Sequence, residues 1–263
     1  MYKQEISPFA KQMQERLKKT WENLSKIRYK VAVMGGKGGV GKTTVAVNIA
    51  ALLAETHKVG LLDADIDCPN VNRFLGITER FLVKGEKTIL PVEKDGLKVV
   101  SMASLQEAED TAIMWRGPLI ANTLAQFLEN TEWGDIEYLF FDAPPGTSDV
   151  SLSLMQNVDI SGIIIVSTPQ SVSIVDARKT INMANQLKVK ILGLVENMSG
   201  EIFGSGSVEA LAKKVGVPFL GRIELDKKMA QLAEKGLVQS KNDQTFRKDF
   251  QAIAERLQES LHA

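Results

Sequence analysis

The sequence is poor in several features whose absence limits what the protein can be. Cys68 is the one cysteine among 263 residues, so no disulfide can form within the chain, and we expect a reducing, cytoplasmic location. No apolar run approaches the roughly 20 residues of a membrane-spanning helix, and the first residues lack the apolar core of a secretory signal. Basic and acidic side chains balance at 32 each, so no nucleic-acid binding is expected. With 44% hydrophobic residues, the chain is apolar enough to form a globular domain.

The zero net charge conceals a basic N-terminal segment. Residues 1–30 carry eight basic and three acidic side chains, a charge of +5. Apolar residues recur in this segment at helical spacing, which predicts an amphipathic helix over residues 8–28. They are Phe9, Met13, Leu17, Trp21 and Leu24. We interpret residues 1–28 as a helical extension that packs on its own domain or on a second subunit; contact with a membrane surface or a partner is the alternative.

Short apolar runs alternate with helical stretches through the rest of the chain. The runs cover residues 31–34, 59–62, 97–100, 138–141, 163–166 and 191–195. Amphipathic stretches lie at 43–53, 120–128, 172–187 and 250–261. This alternation predicts an α/β fold with a doubly wound, mostly parallel sheet and helices on both faces. We expect residues 29–263 to form a single domain, with a surface loop or short hairpin over 76–95.

The strongest motif is a glycine-rich loop directly after the first apolar run. Residues 36–43 read GKGGVGKT, which matches the phosphate-binding pattern G-x-x-x-x-G-K-[ST] between a strand and a helix. Glycines let backbone N–H groups turn toward phosphate oxygens, and the N-terminus of the next helix adds its positive dipole end. We expect Lys42 to reach the β- and γ-phosphates and the Thr43 hydroxyl to bind Mg²⁺; a purely structural glycine turn is the alternative. The predicted nucleotide-binding residues here are Gly36, Lys37, Gly38, Gly39, Val40, Gly41, Lys42, Thr43 and Thr44.

Carboxylates follow two of the apolar runs. The segment LLDADID over 61–67 places Asp63, Asp65 and Asp67 at the end of one run, and YLFFD over 138–142 places Asp142 at the end of another. A buried strand that ends in a carboxylate is typical of the Walker B site, where the carboxylate faces the water shell of magnesium. The segment APPG follows Asp142 and is interpreted as a switch loop that senses the γ-phosphate. The switch residues we predict are Asp67, Pro144, Pro145 and Gly146.

The glycine-rich loop resembles that of one ATPase superfamily. KGGVGKTT over 37–44 is similar to the deviant Walker A motif of MinD, ParA, the nitrogenase iron protein and the Mrp/ApbC carriers. The resemblance implies a P-loop NTPase fold of the SIMIBI type and a Lys37 that reaches the partner's nucleotide across a dimer interface, as an arginine finger does. A solvated loop lysine is the alternative for Lys37. The resemblance also implies that Asp65 positions the attacking water and that Asp63 lies near the magnesium ion, with Asp67 able to share either role.

Further segments narrow the resemblance to the Mrp/ApbC branch over residues 25–260. They are WRGP at 115–118, FDAPPGT at 141–147, DARK at 176–179, VENMS at 195–199, FGSG at 203–206 and VPFLG at 217–221. This branch implies a slow, dimer-dependent ATPase that binds Mg²⁺ with ATP as a homodimer and carries iron–sulfur clusters to apoproteins. It also implies that Asn197 recognises adenine, because an amide can match both a donor and an acceptor on the base edge. A turn residue is the alternative for Asn197.

The chain departs from this branch at the cluster site. The carriers have Cys-x-x-Cys where this sequence has Gly200, Glu201 and Ile202, and a four-iron cluster normally takes four thiolates. An iron–sulfur cluster is therefore not expected on this chain alone, and we expect a maturation client or a cluster-bearing partner protein instead. Two alternatives stay open: a MinD/ParA-like spatial organiser that binds a surface in the presence of ATP, and a regulatory scaffold subunit with negligible turnover.

Overall fold

The protein folds around one large sheet with helices on both sides. The structure, a computed structural model, describes residues 8–105 and 117–263. The strands in these residues are β1 Tyr29–Met34, β2 Val59–Asp63, β3 Leu82–Lys84, β4 Thr88–Leu90, β5 Val92–Lys94, β6 Leu97–Val100, β7 Tyr138–Asp142, β8 Gly162–Ser167, β9 Ile191–Ser199 and β10 Phe219–Glu224. The helices are α1 Pro8–Leu24, α2 Lys42–Leu53, α3 Val71–Leu75, α4 Gly117–Asn130, α5 Asp149–Asn157, α6 Ser171–Gln186, α7 Ser207–Val215, α8 Lys227–Glu234, α9 Gln239–Asn242 and α10 Gln244–His262, with a 3₁₀ turn at Met102–Leu105.

The order of the strands confirms the predicted doubly wound α/β fold. Eight strands pair in the order β10-β9-β8-β1-β7-β2-β6-β5, and all neighbours are parallel except β5 and β6. Because side chains alternate between the two faces of a strand, Val31 and Val33 of β1 enter one core while Ala32 and Met34 enter the other. Because β1, β2 and β7 are parallel, the loop after β1 meets Asp63 and Asp142, which end β2 and β7, at the same edge of the sheet. This is the edge where open α/β sheets bind ligands.

All six predicted apolar runs are strands of the large sheet, but two of its strands were missed. For residues 76–95 the sequence predicts a surface loop or a short hairpin, and the structure shows a hairpin of β3 and β4 there. The edge strand β5 also lies there, and its three residues are too few for a periodic pattern. In the other missed strand, β10, Gly221 and Arg222 interrupt the apolar residues, so the sequence FLGRIE contains no continuous apolar run.

Polar contacts connect helix α1 to α4 and to the residue that follows it. Arg16 Nε lies 2.6 Å from Glu129 Oε1, and Asn23 Nδ2 donates to the carbonyl oxygens of Leu128 and Thr131 at 2.8 and 3.0 Å. Of the predicted apolar stripe, Leu24 is buried while Leu17 and Trp21 are exposed, Trp21 by 62%. The side chains of Phe9 and Met13 lie outside the described residues. Among the described helices, none is long and apolar enough to cross a membrane.

Candidate functional site

The glycine-rich loop connects β1 to α2 at the carboxyl edge of the sheet. Gly39 and Gly41 have φ angles of +76° and +87°, a left-handed conformation that side chains disfavour. Gly36 packs so closely on α6 that an added Cβ would overlap the backbone of Asp176. Gly41 directly precedes the first residue of α2. The loop is therefore a tight turn that leads into a helix N-terminus, the arrangement that binds phosphate in many proteins.

Two of the predicted phosphate-site residues contact or face the carboxylates. Lys42 is buried, which lowers the pKa of its amine, while the charges of Asp142 and Asp65 oppose this shift. The Thr43 hydroxyl donates to Asp142 Oδ2 at 2.5 Å. The end of β7 thus meets the first turn of α2, so the lysine, the hydroxyl and the carboxylates lie in one cluster.

Asp142 is a buried carboxylate with one free oxygen. Asp142 is 2% exposed, and among the described residues its Oδ1 has no hydrogen-bond partner. Burial raises the pKa of Asp142 to about 7, against the opposing effects of the Thr43 hydrogen bond and Lys42. A buried oxygen without a partner is costly, and a hard cation with its water would satisfy it. The residues present therefore fit a magnesium ion.

Asp63 is fully buried and holds the segment that follows β2. Its Oδ1 accepts from the backbone N–H of Asp65 at 3.2 Å, and its Oδ2 accepts from the N–H of Val71 at 3.2 Å and from Ser101 Oγ at 3.0 Å. Burial and the nearby Asp142 carboxylate hold the pKa of Asp63 well above its usual range. These three donors come from a loop, a helix and a neighbouring strand end, so Asp63 fixes their relative positions.

The remaining predicted residues are the catalytic Asp65 and Lys37 and the switch residues Asp67, Pro144, Pro145 and Gly146. Asp65 is half-buried, which raises the pKa of its carboxyl, while Asp67 is exposed. The Gly146 N–H donates to the Gly35 carbonyl at 2.9 Å, which ties the segment after β7 to the phosphate loop. Pro144 is buried and its carbonyl accepts from Ser151 of α5, whereas Pro145 is exposed. Lys37, at the tip of the loop, is half-buried.

Asn197 lies next to a cavity at the side of the loop. Its Nδ2 donates to the carbonyl of Val40 at 2.9 Å, so one side of the amide is used by the loop itself. The cavity has a volume of about 270 Å³. It adjoins both the first turn of α2 and the end of β9. Its lining includes Thr44, Phe74, Asn197, Met198, Glu224, Leu225, Asp226, Met229, Ala230, Ala233, Glu234 and Gln239.

Comparison with known proteins identifies the family of the chain. Residues 26–258 match the family described as ParA, the NUBPL iron-transfer P-loop NTPases. The chain belongs to this family. An iron–sulfur cluster carrier protein of Methanocaldococcus jannaschii is 44% identical over 91% of this chain and 87% of its own length. A second protein of that name, from Methanococcus maripaludis, is 40% identical over 96% of this chain and 93% of its own.

Solved structures with a similar fold include a nucleotide-binding protein and a cell division ATPase. A nucleotide-binding protein of Archaeoglobus fulgidus, solved with ADP, has a TM-score of 0.74 and 36% identity, over 84% of this chain and 92% of that one. The cell division ATPase MinD of Pyrococcus furiosus has a TM-score of 0.70 over 89% of this chain and 99% of its own. Its identity is 22%, so this second likeness shows the fold alone.

Sequence reasoning missed two buried polar residues, one beside Asn197 in β9 and one in contact with Asp63. Glu196 is fully buried and accepts from the N–H groups of Gly206 and Val208 at 2.8 and 2.9 Å and from Arg222 Nε at 2.9 Å. A glutamate directly after an apolar run was the available signal. Ser101, which donates to Asp63, carried no signal because it follows β6 as an ordinary strand-end residue. Trp115 and Arg116 of the WRGP segment lie outside the described residues.

Proposed function

We propose that the protein binds and slowly hydrolyses ATP with Mg²⁺ at the glycine-rich loop. The observation that carries this proposal is the contact between Thr43 and Asp142 beside a left-handed glycine turn at a helix N-terminus. Backbone N–H groups of the loop would surround the phosphates, and the Lys42 ammonium would balance their negative charge. Burial strengthens this electrostatic effect because the local dielectric is low.

Thr43 and Asp142 would hold the magnesium ion, with Asp63 behind them. When bound, Mg²⁺ would neutralise charge on the β- and γ-phosphates. The Thr43 hydroxyl can offer a lone pair to the ion while it donates to Asp142, and Oδ1 of Asp142 would accept from water on the ion. Asp63 is engaged by three donors, so its part is to keep the carboxylate cluster in place.

Hydrolysis requires a water molecule in line with the γ-phosphate. Asp65 would orient that water, since its half-buried carboxylate follows β2 and lies close enough to Lys42 for the two charges to interact. The water oxygen forms a bond to the γ-phosphorus, the bond from that phosphorus to the β–γ bridging oxygen breaks, and the water protons pass to the solvent and phosphate, giving ADP and phosphate. Lys37 would come from the second subunit of a homodimer, and segment 144–146 would respond to the γ-phosphate.

The base of the nucleotide would occupy the cavity beside Asn197. Because Asn197 Nδ2 is bound to Val40, its Oδ1 is the atom left to accept a hydrogen bond. Adenine carries an exocyclic amine donor, whereas guanine carries a carbonyl oxygen at the same position.

The biological role we propose is iron–sulfur cluster or metallocofactor maturation through a partner protein. Its relatives are named iron–sulfur cluster carrier proteins. A dimer of this chain has two cysteines, both Cys68, which is half the usual ligand set of a four-iron cluster. The cargo would therefore be bound with a client or a cluster-bearing partner, and ATP would act by changing the affinity of the dimer for that partner.

Calorimetry with Mg-ATP and a phosphate-release assay test the ATPase proposal. The wild-type chain should bind ATP and release phosphate, and Lys42→Ala should lose most of this activity. Equal rates for the two proteins would remove the enzymatic proposal and favour a scaffold subunit.

Reconstitution with iron and sulfide tests the cargo proposal: the chain alone should show no stable cluster absorbance, and a stoichiometric cluster would contradict it. Partners should be retained by an Asp65→Ala dimer loaded with ATP.

A surface-binding organiser is the second candidate. The observation that favours it is α1, where the exposed Trp21 and Leu17 lie within a segment of net charge +5. Basic helices with exposed aromatic residues bind anionic lipid surfaces. Sedimentation with anionic liposomes should show ATP-dependent binding if this candidate is correct, and no binding with or without ATP would exclude it.

A further inference from the structure

Helix α8 forms a wall of the cavity beside Asn197 and packs on the core through two partly buried side chains, Met229 and Leu232. It contributes Met229, Ala230, Ala233 and Glu234 to the lining. None of its eight residues is buried. Because burial of apolar surface is the main source of stability for a packed helix, α8 depends more than the other helices on its polar contacts. Polar groups that bind α8 therefore help to set the position of this wall.

A buried amide network connects α8 to the helix of the phosphate loop. Asn48, one turn after Thr44 in α2, is fully buried. Its Nδ2 donates to the Thr44 carbonyl at 2.8 Å and to Gln239 Oε1 at 2.5 Å, and its Oδ1 accepts from the Ser240 N–H at 2.7 Å. Both N–H groups and the oxygen of the Asn48 amide are thus engaged, which fixes its orientation.

Gln239 continues the network from α9 to α8. Its Oε1 is used by Asn48, and its Nε2 points to the carbonyl of Met229 in α8 at 3.5 Å. The Gln239 side chain borders the cavity but is fully buried, so a ligand cannot reach it in this arrangement. Its effect on a ligand must therefore pass through the residues of α8 that it holds.

We propose that Asn48 and Gln239 are positioning residues for the base of the nucleotide. They hold α8 at a fixed distance from the phosphate-loop helix and so give the cavity the width that a base requires. This inference rests on the proposed function, since it assumes that the phosphates lie on the loop and the base in the cavity. Binding of the base then depends on the network, whereas binding of the phosphates depends on the loop alone.

A ligand without a base separates the two contributions. Binding of Mg-ATP and of magnesium tripolyphosphate is measured by calorimetry for the wild type, Asn48→Ala and Gln239→Met, which keeps the length of the side chain. Each variant should bind ATP about tenfold more weakly, as expected for about one lost hydrogen bond, while its affinity for tripolyphosphate stays within about twofold of the wild type. The ratio of the two affinities is the readout, and a simple loss of stability does not change it.

Gln258→Ala is the matched control. Gln258 Nε2 also makes two contacts of 3.3 Å, to Tyr138 Oη and His57 Nε2, but these lie at the opposite edge of the sheet. This variant should lose stability without a change in the affinity ratio. If Asn48→Ala and Gln239→Met lose affinity equally for both ligands, or lose affinity for neither, the positioning role is overturned. A wild-type chain that binds neither ligand would instead contradict the proposed function itself.

Discussion

Gly41 lies so close to Asn197 that a Cβ on Gly41 would overlap the Asn197 amide nitrogen. That nitrogen also donates to the Val40 carbonyl at 2.9 Å. The glycine before α2 and the asparagine at the end of β9 are thus fitted to each other, although 156 positions separate them in the sequence. Glycine is required here for two independent reasons, its left-handed φ of +87° and this contact.

Alanine substitutions at Gly41 and Gly39 separate these two reasons. Gly39 has a similar φ of +76°, but in the described part of the chain no atom beyond its two neighbours lies within 4 Å of the position that its Cβ would take. Gly39→Ala should lower the free energy of unfolding by roughly 1–2 kcal/mol through backbone strain. Gly41→Ala should cost about 1–3 kcal/mol more, because the Asn197 amide must leave its hydrogen bond. Urea unfolding measures both, and equal costs would show that the asparagine moves without penalty.

The elements that carry the site were predictable because they are local in the sequence. The pattern at 36–43 and the aspartates after two apolar runs each lie within a few residues. The parallel sheet then brings Asp63 and Asp142 to one edge, and their Cα atoms are in register in neighbouring strands. Such a meeting follows from topology alone, since all strand ends of one polarity share an edge.

The contacts that hold the site were not predictable, since each joins residues far apart in the chain. Asn48 and Gln239 are 191 positions apart, and neither belongs to a motif. Nothing in the local sequence tells a buried amide in a helix from an exposed one. Asp63 was expected near the metal, and the sequence did not indicate that its oxygens also accept from Asp65, Val71 and Ser101.

Lys37→Ala should separate binding from turnover. A cation that acts on charge developed during phosphoryl transfer stabilises the transition state more than the bound substrate. We expect ATP affinity within about threefold of the wild type and a loss of turnover of about 10³-fold or more, as for an arginine finger. Calorimetry and phosphate release measure the two quantities, and Lys84→Ala, an exposed lysine of β3, is the control. A parallel loss of binding would contradict the role.

Mixed dimers test whether Lys37 acts across the interface. Lys37→Ala and Asp65→Ala chains should each be inactive alone. In a mixed dimer, the site on the Lys37→Ala chain keeps its own Asp65 and receives Lys37 from the other chain, so mixing should restore activity at one site. If Lys37 acts within its own chain, both sites of the mixed dimer lack one group, and mixing restores nothing.

Asp142→Asn should make the protein more stable at neutral pH while it weakens Mg-ATP binding. The pKa of Asp142 is raised to about 7 in the folded protein, against about 3.9 for an unfolded chain. The folded state therefore holds more protons between these values, and wild-type stability falls as pH rises through this window. Asparagine does not titrate, so its variant does not lose stability in this window. The free energy of unfolding of the variant should therefore exceed that of the wild type by an amount that grows from pH 4 to pH 7 and is more than about 1 kcal/mol at pH 8.

Urea unfolding at several pH values measures this effect. Asp135→Asn is the control, because Asp135 is exposed and the neighbouring Lys58 lowers the pKa of its carboxyl. Its variant should show no gain at neutral pH. A constant difference between Asp142→Asn and the wild type from pH 4 to pH 8 would mean that Asp142 is ionised throughout that range in the folded protein.

Glu196 and Glu209 both bind Arg222, but they should differ greatly in their contribution to stability. Glu196 is fully buried and also accepts the Gly206 and Val208 N–H groups at the start of α7, whereas the Glu209 side chain is 57% exposed. Glu196→Ala should cost about 3–5 kcal/mol, because these donors lose their partner inside the protein. Glu209→Ala should cost less than about 1 kcal/mol, as exposed ion pairs do. Urea unfolding of both variants decides this, and similar costs would mean that water replaces Glu196 at the end of β9.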